Sequence, residues 1–190
     1  MAKIISFMHV SLDGFVAGPK GEMDWIKVDE EIFDHVGERI KATDMALYGR
    51  VTYLMMENYW PKAGEKPNAT KHDIEHSSWY NRIHKVVLSK TLKDPDISNT
   101  SILSDNITKN INEIKQQPGK EILLFGSPTA TKALIELGLI DGYWLFINPV
   151  ILGQGIPLFQ DIKNKIKLNL LTSRKFACGV VELNYIVDNS

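Results

Sequence analysis

Residues 121–138 of the chain read EILLFGSPTATKALIELG, a strand signal that passes through a glycine into a helix signal. Ile122 to Phe125 is a short apolar run of the kind that forms a buried strand. The apolar residues that follow recur at helical spacing: Ala130, Ala133, Leu134 and Leu137. Ser127 stands where a helix cap is expected, Pro128 suits the first helical position and Gly138 suits the end. This order of strand, turn and helix predicts an α/β fold.

Short apolar runs bounded by turn residues predict further strands along the chain. They are Ile4 to Val10, Met45 to Tyr48, Lys85 to Ser89, Gly142 to Val150, Lys167 to Arg174 and Gly179 to Val187. Asp29 to Lys41 has an apolar stripe and an acidic first turn, which predicts an amphipathic helix.

The last two predicted strands alternate apolar and polar residues and are joined by a short connection at Phe176 to Gly179, which predicts an antiparallel hairpin. Their predicted inward residues are Leu168, Leu170, Val181, Leu183, Tyr185 and Val187. The predicted sheet is therefore mixed: mostly parallel, with an antiparallel hairpin at the C-terminus.

Composition narrows the class of protein. A chain of 190 residues with 44% hydrophobic and 24% charged residues is expected to form one globular domain, residues 1–190. With 22 basic against 23 acidic residues, it has no charge excess for binding nucleic acid or an anionic membrane. The single cysteine, Cys178, suits the reducing cytoplasm. Its longest apolar candidate for a membrane span, Tyr143 to Leu152, is too short and is interrupted by Asn148 and Pro149.

Asn58 to Asn81 is the longest stretch without a strand signal and is interpreted as a loop. Its two tryptophans, Trp60 and Trp79, favour a loop that folds over a ligand. It contains His72-Asp73-Ile74-Glu75-His76, which matches a zinc-protease pattern. Its polar setting and the lack of a second ligand motif argue against a metal site. The other histidines, His9, His35 and His84, are expected on ordinary strand or helix surfaces.

Three predicted strand ends carry groups that bind anions. Tyr48-Gly49-Arg50-Val51-Thr52 joins a strand to a helix start, where free amides, a guanidinium and a hydroxyl favour phosphate. Phe125-Gly126-Ser127-Pro128-Thr129 repeats this arrangement. Leu88-Ser89-Lys90 has a hydroxyl and a lysine and no acidic residue, which suits a ribose 2′-phosphate. Together they predict a phosphorylated dinucleotide, although the Gly-x-Gly-x-x-Gly and P-loop motifs are absent.

The N-terminal strand runs into Ser11-Leu12-Asp13-Gly14. Asp-Gly is a common turn dipeptide, so one interpretation is a simple turn. The other is that Ser11 and Asp13 present polar groups to a ligand at the sheet edge. The residues leave both open.

These motifs, with Trp60-Pro61, Lys85 to Leu92 and Asn148 to Phe159, follow one another as in the dihydrofolate-reductase-like superfamily. More closely, the chain resembles stand-alone relatives of the reductase domain of the bifunctional riboflavin-biosynthesis deaminase/reductase. The resemblance covers nearly the whole chain. It implies a three-layer fold with helices on both faces of a central mixed sheet, NADPH bound across the strand ends, and hydride transfer to a heterocycle.

The resemblance also implies roles for individual residues. Cofactor-binding residues would be Val10, Ala17, Gly49, Arg50, Val51, Thr52, Leu88, Ser89, Lys90, Gly126, Ser127 and Thr129. Val10, Ala17 and the Leu152-Gly153 segment would lie near the nicotinamide. Substrate-binding residues would be Ser11, Asp13, Trp25 and Trp60, and the candidate acids are Asp13 and, by analogy with folate reductases, Glu30. The chain departs from many relatives at Ser127, where they have glycine, and at Gly142, where they have an acidic residue.

The expected function is therefore NADPH-dependent reduction of a pterin-like or ribosylaminopyrimidine-like heterocycle, similar to 5-amino-6-(5-phosphoribosylamino)uracil reductase. Two alternatives stay open: dihydrofolate reductase activity, and a non-catalytic NADP-binding module. The apolar C-terminal hairpin predicts a homodimer.

Overall fold

Residues 1–93, 99–119 and 121–188 are described by the computed structural model of the chain. Its strands are β1 (Lys3–Ser11), β2 (Phe15–Ala17), β3 (Met45–Gly49), β4 (Lys85–Leu88), β5 (Thr100–Leu103), β6 (Glu121–Phe125), β7 (Gly142–Asn148), β8 (Ile156–Pro157), β9 (Leu168–Lys175) and β10 (Val181–Val187). Its α-helices are α1 (Glu30–Lys41), α2 (Arg50–Tyr59), α3 (Lys71–Arg82), α4 (Ile107–Gln116) and α5 (Pro128–Glu136), and Trp60–Glu65 is a 3-10 helix. In the described part of the chain, no helix is both long and apolar enough to cross a membrane.

The residues group into two compact units, Met1–Ala2 with Asp29–Leu123, and Lys3–Val28 with Leu124–Ser190. In the first unit, β3, β4 and β5 are parallel neighbours, with Gly49 opposite Leu88 and Leu88 opposite Leu103. Their carboxyl ends therefore lie side by side. Helix α1 is capped by the Asp29 carboxylate, which accepts from the Ile32 amide at 2.9 Å, and it buries Ile32, Val36 and Ile40.

In the second unit, β1 runs parallel to β7, whereas β10 is antiparallel to both β7 and β9. One face of β1 meets α5, where the Ser6 and Thr131 hydroxyls are 3.2 Å apart. The other face carries an aromatic layer of Phe7, Trp144, Phe146 and Phe176. Aromatic pairs of this kind each add about 0.5–1.5 kcal/mol beyond the burial of their area. The Trp144 indole N–H donates to the buried carboxylate of Glu182.

The predicted α/β fold with a mixed sheet and a C-terminal antiparallel hairpin is confirmed. The predicted strands and the two predicted helices form within a few residues of their expected ends. The single-domain boundary 1–190 stays a prediction.

Two expectations about packing are wrong. The stretch from Asn58 to Asn81 is not a loop, since it contains the end of α2, the 3-10 helix and α3. In the hairpin, Leu168 and Leu170 are 38% and 53% exposed rather than inward. The β9 strand lies at the end of the strand order and has a register shift opposite Asn184/Tyr185, so its alternation does not set a buried face.

A buried lysine ties together three elements of the first unit. The Lys85 ammonium donates to the Tyr80 carbonyl at the end of α3 and to the Asn99 side-chain oxygen, at 3.0 and 3.1 Å. The Asn99 amide in turn donates to the carbonyls of Asn81 and Ile83. Burial lowers the pKa of Lys85, and these acceptors satisfy an amine that is only 2% exposed.

Candidate active site

The start of α2 presents free backbone donors at the end of β3. Its N-cap residue is Gly49, which provides no side-chain hydrogen bond to the first turn. The N-cap side chain therefore satisfies none of the first amides of the helix, and the helix dipole is positive at this end. Arg50 and Val51 are exposed here, whereas Thr52 is buried. These features fit an anionic group.

The end of β4 lies beside the end of β3, so Ser89 and Lys90 are brought close to Arg50. The Ser89 oxygen accepts from the amides of Thr91 and Leu92, at 3.2 and 2.9 Å. This turn fixes the side chain and leaves its O–H available as a donor. Lys90 is exposed. The pair fits a phosphate monoester.

Sequence reasoning missed Asp105, which lies two residues beyond the end of β5. Leu103 is opposite Leu88, so this carboxylate follows the strand next to Ser89. Weak hydrogen bonds from Ser104 and Asn106 hold it, at 3.5 and 3.3 Å. The Leu88-Ser89-Lys90 segment has no acidic residue of its own, and the linear sequence does not bring Asp105 next to it.

The junction between β6 and α5 takes left-handed backbone at two successive residues, with φ of 55° at Gly126 and 57° at Ser127. The Gly126 amide donates to the Phe7 carbonyl at 3.1 Å. The Ser127 side chain caps α5 by accepting from the Ala130 amide at 3.4 Å, as predicted. Ser127 has a left-handed conformation for which glycine is more usual and which costs an L-residue about 1–2 kcal/mol.

A pocket of about 240 Å³ lies beside the start of α5. It is lined by Pro128, Thr129 and Lys132, with Ile156, Pro157, Leu158 and Gln160 on the other side. Lys132 forms an ion pair with Asp161 at 2.8 Å. The exposed Thr129 and this lysine give the pocket donors at a helix N-terminus, which fits a pyrophosphate.

Asp13 joins the turn after β1 to the segment after β7. Its carboxylate accepts from the Ser11 hydroxyl at 2.7 Å and from the amides of Leu152 and Gly153 at 3.1 and 2.7 Å. The Ser11 hydrogen bond, with the two amide bonds, lowers the pKa of Asp13. Ser11 is itself buried and also accepts from the Phe15 amide at 2.9 Å. The turn is confirmed, since the Gly14 amide donates to the Ser11 carbonyl at 3.0 Å. That Ser11 and Asp13 present polar groups to a ligand stays a prediction.

The residues expected around the nicotinamide lie in the second unit. Val10 and Ala17 are buried, and β2 pairs with β8 so that Gly155 comes against the Ala17 carbonyl. A Cβ at Gly155 would collide with that oxygen, which explains glycine at this position. Trp25 is half-buried, with its indole N–H donating to the Glu22 carbonyl at 3.1 Å.

The remaining candidates, Glu30 and Trp60, lie in the first unit. Glu30 is the exposed first residue of α1. Trp60 is half-buried, and its ring lies 3.9 Å from that of His76. It therefore packs within a folded helical segment rather than in a loop.

The zinc-protease pattern lies on α3, where the rings of His72 and His76 are 5.4 Å apart. His72 stacks on Phe33 at 3.8 Å, and Glu75 pairs with Lys41 at 3.3 Å. Over residues 1–93, 99–119 and 121–188, no three His, Cys, Asp or Glu side chains form a group that could hold a metal ion.

His9 does not lie on an ordinary strand surface, contrary to expectation. It is half-buried near the carboxyl end of β1, where its ring stacks on Phe146 at 5.0 Å. Its Nδ1 is 3.3 Å from the Asn148 side-chain nitrogen. Burial lowers the pKa of His9 to about 4. A histidine in a largely apolar strand was the available signal, but its partner is 139 residues away in the chain.

Comparison with known proteins gives the family. Residues 2–182 match the RibD C-terminal domain. The chain is 36% identical to YyaP of Bacillus subtilis (strain 168) over 185 residues, which is 96% of this chain and 94% of that protein.

Solved structures share the fold. A diaminohydroxyphosphoribosylaminopyrimidine deaminase/5-amino-6-(5-phosphoribosylamino)uracil reductase from Thermotoga maritima matches with a TM-score of 0.69 at 15% identity, over 98% of this chain and 57% of that one. Dihydrofolate reductase from Enterococcus faecalis, complexed with NADP(H), matches with a TM-score of 0.64 at 13% identity, over 98% and 97%. The fold is that of dihydrofolate reductase, and the chain belongs to the RibD C-terminal domain family.

Proposed function

We propose that this protein is an NADPH-dependent reductase that transfers a hydride to a small heterocycle of the pterin or ribosylaminopyrimidine type. The uncapped start of α2, beside Ser89 and Lys90, is the observation that carries the proposal. It offers free amides and two cations at adjacent carboxyl ends of parallel strands, which is where α/β proteins bind nucleotides. The name of the Thermotoga relative supports the choice of reaction.

Each unit by itself contains residues that fit phosphate groups. In the first unit, Arg50, Ser89 and Lys90 would hold phosphate groups. In the second, the amides after Gly126 and the Thr129 hydroxyl would hold pyrophosphate beside the 240 Å³ pocket. Bound NADPH would supply the hydride.

The chain's own contribution to catalysis is orientation and exclusion of water. Asp13 fixes Leu152 and Gly153 through their amides, so the loop after β7 is held against the end of β1. A loop that is fixed in this way keeps two reacting groups aligned. Asp13 serves this role as a carboxylate, since its pKa is lowered, which leaves Glu30 as the candidate for proton delivery.

Cofactor binding tests the first half of the proposal. NADPH is expected to bind more tightly than NADH, and Arg50→Ala and Lys90→Ala should each weaken NADPH by about 1–3 kcal/mol, as for other charge-assisted hydrogen bonds. Asp105→Asn should strengthen NADPH binding, because it removes a negative charge near the 2′-phosphate. Lys93→Ala, at an exposed lysine three residues from Lys90, is the matched control. Equal titration curves for NADPH and NADH would contradict the proposal.

Turnover tests the second half. NADPH oxidation is measured with dihydrofolate, dihydropterins and ribosylaminopyrimidines as acceptors, for the parent, Asp13→Asn and Glu30→Gln. A substitution of the proton donor should lower the rate and leave NADPH affinity intact. Tight NADPH binding without oxidation by any acceptor would favour a non-catalytic module, and a preference for dihydrofolate would favour a folate reductase.

We also propose that the protein forms a homodimer through its C-terminal hairpin. All residues of β9 are exposed, and Leu170 and Leu171 are 53% and 57% exposed on a strand at the end of the order. Pairing this edge with a second copy would cover the apolar side chains and satisfy the open backbone groups. Sedimentation at micromolar concentration should give about twice the monomer mass of 21.5 kDa, and the monomer mass would refute the dimer.

A further inference from the structure

His9 lies near the carboxyl end of β1 and faces away from α5. Ser6 of the same strand contacts Thr131 of α5, and side chains three residues apart on a strand point to opposite faces. The imidazole therefore belongs to the face of the aromatic layer, where it stacks on Phe146. In the register with β7, His9 is opposite Phe146, and the next pair that shares its face is Ser11 and Asn148.

The Asn148 side chain is oriented by a backbone donor. The Lys27 amide donates to the Asn148 side-chain oxygen at 2.8 Å, and a backbone N–H can only donate. The other end of the amide is therefore its NH₂ group. That group donates to the Phe146 carbonyl at 3.1 Å and points its second hydrogen at His9 Nδ1, 3.3 Å away. Asn148 is fully buried, so water does not compete for these bonds.

The orientation of Asn148 fixes the tautomer of His9. Because Nδ1 accepts a hydrogen bond, the proton of the neutral imidazole is on Nε2. The His9 pKa of about 4 means that the ring is neutral at pH 7. Among the described residues Nε2 has no hydrogen-bond partner, and the His9 side chain is half-buried rather than fully enclosed. The result is a fixed N–H donor, oriented by a packed ring.

We propose that the His9 Nε2–H donates a hydrogen bond to a ring carbonyl oxygen of the heterocyclic substrate and that Asn148 positions the imidazole for this role. This inference rests on the proposed function. Ligands of α/β sheets bind outside the carboxyl ends of the strands, and His9 is two residues from the end of β1.

The proposal has a consequence for specificity. A neutral imidazole whose Nδ1 already accepts from Asn148 offers only a donor at Nε2. A heterocycle with an oxo group at this point completes the bond, whereas one with an amino group sets two donors against each other and leaves both unpaired. Sites built on such bonds reject the wrong partner because a desolvated polar group is left unsatisfied. His9 would thus select oxo-pyrimidines and pterins over fully amino-substituted rings.

The test compares two small probes, 6-aminouracil and 2,4,6-triaminopyrimidine, titrated by calorimetry at pH 8.5 with and without NADP⁺. Wild-type protein should bind the oxo compound at least about fivefold more tightly, the effect of one hydrogen bond. His9→Phe keeps a stackable ring and removes the donor, so the preference should fall to about twofold or less. His9→Gln, whose side-chain NH₂ reaches a similar position, should retain a preference for the oxo compound.

A tautomer measurement keeps the inference testable if a variant misfolds. In ¹³C,¹⁵N-labelled wild-type protein, the His9 ring, assigned through its correlations to the backbone resonances of His9, should show the Nε2–H tautomer at pH 7. An Nδ1–H tautomer, an unchanged preference in His9→Phe, or no binding of either probe to wild type would each overturn the proposal. Failure of NADPH to bind or to be oxidised would instead refute the proposed reductase, because the probe preference without NADP⁺ is measured independently.

Discussion

Replacing Ser127 by glycine and by alanine should have unequal effects on stability, with glycine the better tolerated at this left-handed N-cap. Ser127→Gly removes the strain of φ 57°, about 1 kcal/mol or more, and loses a cap whose replacement by glycine costs only a few tenths of a kcal/mol. The greater freedom of glycine in the unfolded chain offsets about 0.5–1 kcal/mol of the stability gained by removing the strain. The net change in the free energy of unfolding should therefore lie within about 0.5 kcal/mol of zero.

Ser127→Ala loses the 3.4 Å bond to the Ala130 amide and keeps the strained backbone. It should destabilise the protein by about 1 kcal/mol, which lowers Tm by roughly 3 °C for a chain of this size. Urea and thermal unfolding of both variants measure the difference. Ala133→Gly, at an exposed position inside the same helix, is the control and should show the ordinary cost of about 1 kcal/mol for glycine. If Ser127→Ala is as stable as Ser127→Gly, the left-handed turn is not strained as argued.

Two further predictions concern stability. Burial lowers the pKa of His9 to about 4 and of His76 to about 3, from 6.5, so the unfolded chain takes up protons first as the pH falls. The contribution of the two histidines to stability is complete above pH 6.5 and is lost towards pH 4. The free energy of unfolding should therefore fall by about 2 kcal/mol between pH 6 and pH 5 in urea titrations. His76→Phe should remove about half of this fall, and an unchanged slope would refute the prediction. A Cβ at Gly142 would collide with the Tyr185 carbonyl, so Gly142→Ala should lower stability by about 1–3 kcal/mol, whereas Gly37→Ala, in open space within α1, should raise it by up to about 1 kcal/mol. Equal melting temperatures for the two glycine variants would contradict that reasoning.

The strand and helix pattern around β6 and α5 was predictable because its signals are local. The apolar run, the cap at Ser127, Pro128 and Gly138 all act within one turn of each other. The glycine at 142 has a reason that only the structure reveals, since the β10 backbone at Tyr185 comes too close for a side chain.

Helix α3 was missed because its buried stripe is not apolar in composition. The residues it buries are His76, Ser77, Trp79 and Tyr80, and two of these count as polar in a hydropathy pattern. The available signal was the capping box formed by Thr70 and Asp73, whose side chains and amides bond reciprocally at 2.9 and 3.1 Å.

The candidate site was predicted where its residues follow a strand end, and missed where its chemistry depends on pairing. Arg50 and Ser89 are each visible beside a glycine or a turn, whereas Asp105 becomes relevant only because β5 lies next to β4. His9 gains its donor role from Asn148, whose own orientation is set by Lys27. Such contacts between distant parts of the chain leave no periodicity to detect.

The buried amine of Lys85 makes that residue a reporter of local opening. Acylating reagents attack the neutral form of an amine that they can reach. Burial lowers the pKa of Lys85, which favours that form, but the same burial keeps the reagent away from the amine. Its labelling rate should then equal the rate at which the junction of α3, β4 and Asn99 separates, while exposed Lys93 reacts at the rate of a free lysine. Lys85 thus reports the rate of local opening in this unit, and Lys93 provides the reference rate for an exposed lysine.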